Sequence, residues 1–115
     1  MMNNKHRKVV TYKDYFKEFL RKQPVAVMKK IIWVLELIED LEKIPETYLK
    51  HIISTEGLYE IRINSGTNTY RIFCFFSGNS LVILMNAFQK KTQKTPKSEI
   101  QKALKIKKEY EQENK

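Results

Sequence analysis

Between residues 57 and 88 the chain reads GLYEIRIN, SGTN, TYRIFCFF, SGN and SLVILMNAF. Apolar runs separated by such short, glycine-centred breaks leave room for little except hairpin connections. The first run alternates, with Tyr59, Ile61 and Ile63 on one face and Glu60, Arg62 and Asn64 on the other. The second is aromatic and nearly continuous, as a central strand covered on both faces is. An antiparallel meander is therefore expected, and the rest of the chain has to supply its covers.

The segment before the meander is helical in period. KVVTY, residues 8–12, reads as a short first strand, after which Thr11 is expected to cap a helix with Asp14 in a weak capping box. Tyr12, Tyr15, Phe16, Phe19 and Leu20 follow at helical spacing as one buried stripe. Pro24 suits the first turn of a second helix, whose apolar face carries Met28, Ile31, Leu35 and Ile38. Glu36, Glu39, Asp40 and Glu42 crowd its end against the helix dipole, and Pro45 stops it. Trp33 is placed in the core or in the interface of the helical hairpin. After the meander, Thr95 is expected to cap and Pro96 to start a last helix over about residues 96–112, with Ile100, Ala103, Leu104 and Ile106 as a thin apolar stripe. The reading is α+β: an N-terminal strand and a helical hairpin packed on an antiparallel meander, with a C-terminal helix. It makes residues 1–115 one domain, with an ordered core of about 8–110. The final helix covers its sheet face only in part, so a concave surface is left.

Charge narrows the partners. The chain carries 22 Lys and Arg against 13 Asp and Glu, a net charge of +9, which favours anionic partners. No acidic residue lies between Ile61 and Ser98, where Arg62, Arg71, Lys90, Lys91, Lys94 and Lys97 all fall. The single cysteine, Cys74, excludes an internal disulfide, and its aromatic surroundings make it an inert buried thiol. Two histidines and one cysteine make a zinc site improbable, and no cofactor is expected. The polar, basic start MMNNKHRK has no apolar run behind it, and no stretch is long enough for a membrane span, so a cytoplasmic location is expected.

Arg62 and Arg71 lie on strands joined by a tight turn. Arg62 is expected on the less covered face, and Arg71 half buried beside Phe73 and Phe75. Guanidinium groups held on a rigid sheet suit bidentate phosphate contact; the competing reading pairs each with a carboxylate such as Glu60 or Glu56. Lys90 and Lys91 follow the last strand, where ammonium groups reach a cleft and stabilise charge building on a phosphate. Lys94 and Lys97 bracket the helix start, where free N–H groups add an anion site. Crowding and burial also lower a lysine's pKa toward use in proton transfer. His51, in YLKHIIST, is the side chain that titrates near neutrality. A solvated lysine loop and a merely packed histidine are the plain alternatives.

In this order, LYEIRI, YRIFCFF and LVILMNAFQKKTQKTPKSEIQKA, preceded by a helical hairpin, resemble the RelE superfamily of bacterial toxins. The nearest likeness is to its HigB branch, with the phage-derived host-killing-like members, over roughly residues 8–108. The resemblance implies a ribosome-dependent mRNA endoribonuclease that needs no metal: a ribose 2′-hydroxyl attacks the adjacent phosphate, and basic side chains stabilise the transition state. It implies messenger RNA and the ribosome as targets, and a cognate antitoxin, often a helix-turn-helix protein, as partner. Carried onto this chain, Arg71 and Lys91 take the transition-state charge, and Arg62 and Lys90 position the phosphate. Lys94, Lys97 and His51 are expected to contact RNA. Pro96, Lys97 and Ser98 stand where relatives carry an acid or base, and Glu60 where some carry a lysine. General acid and base are thus open among Lys91, His51 and Glu60. Two further readings stay open: a catalytically weak or inactive module that binds RNA or protein, and a gyrase-directed toxin of the same superfamily.

Overall fold

The structure, a computed structural model, describes residues 5–114; the start of the basic N-terminus and the last lysine lie outside the described residues. Its elements run β1 (Lys8–Thr11), α1 (Tyr15–Arg21), α2 (Val25–Asp40), β2 (Leu49–His51), β3 (Tyr59–Ser65), β4 (Asn68–Ser77), β5 (Leu81–Lys90) and α3 (Lys97–Glu113). The strands form one sheet in the order β1-β5-β4-β3-β2. The meander is as the glycine-centred breaks require, with β3, β4 and β5 antiparallel. The first strand joins it parallel to β5, at its edge. YLKHIIST holds an added three-residue strand, β2, antiparallel to β3; a run so short gives no periodic signal of its own.

Two apolar layers sandwich the sheet. Phe16, Val27, Ile31, Val34 and Ile38 of the helices meet Ile61, Ile63, Ile72 and Leu84 on one face. On the other, Ala103 and Ile106 of α3 meet Phe73, Phe75, Ile83 and Met85. Cys74 is buried in the first layer, and burial pushes its thiol well up, so it stays protonated. One irregularity breaks the meander: two β5 residues, Met85 and Asn86, stand opposite the single Phe73. This β-bulge resets the alternation, so that Phe88 and Lys90 share the α3 face with Arg71 and Thr69.

Several local expectations are overturned. Thr11 does not cap a helix, because β1 runs through it and Tyr12 N–H still bonds Leu84 O. Lys13 then turns with φ 53° and Asp14 takes the N-cap position. The turn divides the expected stripe: Phe16, Phe19 and Leu20 pack under the helices, while Tyr12 and Tyr15 cross to α3. There the Tyr12 hydroxyl donates to Glu113, and burial together with Glu113 and Glu109 pushes it up to about 12. Pro24 and Pro96 sit at N-cap positions, one residue outside the helices. Trp33 is not in the core; it is 46% exposed, edge-on to Tyr48, with the Lys30 ammonium over its ring.

At the acidic end of α2, Glu36, Asp40 and Glu42 stand exposed, while two cations, Arg7 and Lys5, attend the helix terminus and Glu39. Arg7 donates to the carbonyls of Ile38, Leu41 and Glu42 at 2.6–2.8 Å, closing the helix's free C-terminal acceptors with a cation. Glu39 accepts from Lys5 and from the Val9 N–H; burial works against its charge, but these donors hold its carboxyl below the usual range. Arg7→Ala is expected to lower stability by about 1–2 kcal/mol, since it strips charged donors from three carbonyls. Urea unfolding with an unchanged m-value checks it.

Candidate functional site

The α3 face of the sheet is polar toward the β2 side. Register explains which side chains meet there. Lys50 pairs with Glu60, and Glu60 with Phe73. One step along the sheet Arg62 pairs with Arg71 and Arg71 with Phe88, and beyond it Thr69 pairs with Lys90. Lys50, Glu60, Arg62 and Lys90 line a cleft of about 590 Å³, closed on one side by Lys94 and Thr95 of the loop before α3. Arg71, Lys90 and Lys91 line an adjoining hollow of about 280 Å³. Lys90 borders both.

Two like charges directly opposite on neighbouring strands repel. Here a buried carboxylate offsets them. Glu60 is 5% exposed, and its Oε2 accepts from Arg71 Nε at 3.1 Å and pairs with Arg62 Nε at 3.3 Å. Thr95 Oγ1 donates to the other oxygen, Oε1, at 3.3 Å. Thr95 therefore ties the lysine loop to the sheet instead of capping α3, which has no side-chain cap. Arg71 also donates from Nη1 to the Tyr70 carbonyl at 3.0 Å.

Arg71 lies deeper than half-buried, at 5% exposure, on the central strand β4 with Phe88 as its register partner on β5. Burial pushes its guanidinium below the ordinary value, with Glu60 opposing and Arg62 adding. Arg62 is more open, its side chain 31% exposed. Lys90 is half-buried, and its ammonium is held below the ordinary lysine value by burial and then by the field of Arg71, with Arg62 and Lys50 adding and Glu60 opposing. The site is thus a cationic floor with one carboxylate set into it, which can hold a phosphate and stabilise added negative charge on it.

The expected residues divide by position. Arg62, Arg71 and Lys90 converge on the floor, Lys91 stands exposed at the smaller hollow, and Lys94 stands at the wall. Lys97 opens α3, exposed, and lines neither hollow. His51 is at the rim: its ring lies edge-on to Tyr59 at 5.2 Å, and Nε2 is 3.0 Å from the Thr55 carbonyl, a bond that puts the proton on Nε2. Lys50 and Thr95 were not anticipated at the site. Thr95 reads as a cap because it precedes a proline, and Lys50 requires β2, which lacks a periodic signal. Among the described residues there is no cluster of three or more metal-ligating side chains.

No curated protein matches the chain. The family model described as "Phage derived protein Gp49-like (DUF891)" matches residues 18–108. That family is toxin-like, of the RelE kind found in toxin–antitoxin systems. The match takes in the end of α1, all of α2, the whole meander and most of α3, so the chain belongs to the phage-derived Gp49-like family of toxin-like proteins.

Proposed function

We propose that this protein is the toxin of a type II toxin–antitoxin pair, of the HigB kind, and that it cleaves messenger RNA on the ribosome. The observation that carries this reading is that Arg62, Arg71 and Lys90, from three adjacent strands, line two adjoining hollows that share Lys90, flanked by Lys50, Lys91 and Lys94. In the proposed reaction the 2′-oxygen forms a bond to phosphorus and the P–O5′ bond breaks, leaving a 2′,3′-cyclic phosphate and a 5′-hydroxyl. The 2′-hydroxyl loses its proton and the leaving oxygen gains one. Arg71 and Lys91 face the developing charge on the phosphoryl oxygens, and Arg62 and Lys90 hold the phosphate in place. The lowered pKa of Lys90 also suits it to hand a proton to the leaving oxygen. Lys94, Lys97 and His51 extend the track along the RNA strand, whose binding weakens as salt rises. The partner that silences the protein is a cognate antitoxin of the helix-turn-helix type, in the cytoplasm. No helix among the described residues is long and apolar enough to cross a membrane.

The test is expression without the antitoxin, followed by mapping of messenger ends. Growth arrest with codon-phased cuts that require ribosomes is the expected result. DNA damage without such cuts reassigns the protein to gyrase-directed toxins. Normal growth with intact messenger leaves a non-cleaving basic module. That last reading draws on two observations: Glu60 already occupies Nε of both arginines, and no histidine or tyrosine opens α3.

A further inference from the structure

We infer that Glu60 is a positioning residue, a buried carboxylate that sets the spacing of the two guanidinium groups and tethers the lysine loop, and is not the group that accepts the proton of the attacking 2′-hydroxyl. Its bearing on RNA cleavage rests on the function proposed above. Arg62 and Arg71 are register partners and carry like charge. Without an anion between them the two guanidinium groups would swing apart, and Arg71, being buried, would be left with an unpaired charge. Glu60 meets both requirements through one oxygen, which takes the Nε edge of each arginine. Glu60 leaves both Nη groups of Arg62 for a bidentate phosphate contact, and Nη2 of Arg71, whose Nη1 is on the Tyr70 carbonyl, for a single one.

The second oxygen is also engaged, by Thr95. A carboxylate that removes the proton of a 2′-hydroxyl has to turn a free lone pair toward substrate. Glu60 instead is 5% exposed on the sheet floor, with Oε2 taken by both arginines and Oε1 held toward Thr95, which leaves one lone pair of Oε1 unused; Lys50 stands beside it in register and Lys90 borders the same cleft. It thereby joins β3, β4 and the loop before α3, the three segments that carry the cationic floor.

The experiment uses the full chain, with three readouts. Nitrogen-15 spectra follow the Nε–H signals of the arginines. A 2′-O-methyl RNA oligonucleotide, which binds and is not cleaved, measures affinity. Cleavage on programmed ribosomes gives the pH–rate profile. In Glu60→Gln the Arg62 and Arg71 signals are expected to shift and broaden, and the oligonucleotide to bind as tightly or more so, since the cleft loses its carboxylate. Turnover is expected to fall about 10- to 100-fold at every pH, with the shape of the profile kept. Loss of the acidic limb of the profile with both arginine signals unmoved overturns the proposal and makes Glu60 the base. Thr95→Val leaves the buried pair intact and serves if Glu60→Gln does not fold. The amides of residues 90–95 are then expected to broaden while the arginine signals stay still; unchanged loop amides overturn the tether. Wild-type protein that cleaves no message overturns the functional reading alone. In that case movement of the arginine signals in Glu60→Gln still supports the positioning role, and their stillness still overturns it.

Discussion

Arg71→Ala is expected to remove growth arrest and to lower the stability of the protein together. The side chain is 5% exposed and holds Glu60 Oε2 at 3.1 Å, so truncation leaves a buried carboxylate with Arg62 and Thr95 as its remaining partners. Breaking a buried pair from one side lowers stability by about 3 kcal/mol. Removing one preorganised donor from a phosphate site lowers turnover by about 10²- to 10³-fold. The two effects separate in Arg71→Met with Glu60→Leu, which replaces the pair by apolar volume. That double variant is expected to regain most of the lost stability and none of the activity. Urea titration and messenger cleavage on ribosomes measure them side by side. A folded Arg71→Ala protein that still arrests growth rules the residue out of the site.

Phe73→Ala is expected to be the most damaging single change to the fold. Phe73 is fully buried, its ring 5.5 Å from that of Phe88, and it lies opposite the bulge in β5 and next to Glu60 in register. Large-to-small changes of this kind lower stability by about 3–5 kcal/mol. For a chain of this size that corresponds to a fall in melting temperature of roughly 15 °C. Calorimetry at constant salt tests it; a fall of less than about 5 °C would mean that α3 settles into the gap.

Residues 57–88 show why the sheet was legible and some of its context was not. Alternation in GLYEIRIN placed Ile61 and Ile63 against Glu60 and Arg62 correctly, because a half-buried strand has to sort its side chains by face. The tight turns then put Arg62 level with Arg71, since a hairpin loop sets its own register. The same reasoning fails at β1 and α1. Helical spacing from Tyr12 to Leu20 looks continuous, yet the backbone stays extended to Thr11 because β5 offers an edge to pair with. Periodicity does not register a partner strand far along the chain, so it shows one stripe where Tyr12 and Tyr15 part from Phe16, Phe19 and Leu20.

The chain by itself determined the layers and the charge: apolar periods choose which faces are buried, and a stretch without acid from Ile61 to Ser98 leaves its cations unneutralised locally. Only the tertiary structure decided how those cations are used. The bulge at Met85 and Asn86 turns Lys90 onto the face of Arg71, β2 brings Lys50 across from Glu60, and Glu60 meets Arg71 across the strand pair and Thr95 across the fold. The physical reason is one of range. Side-chain alternation acts between neighbours in sequence, whereas a buried carboxylate finds its counter-charges in space, and those contacts exist only once the sheet has closed.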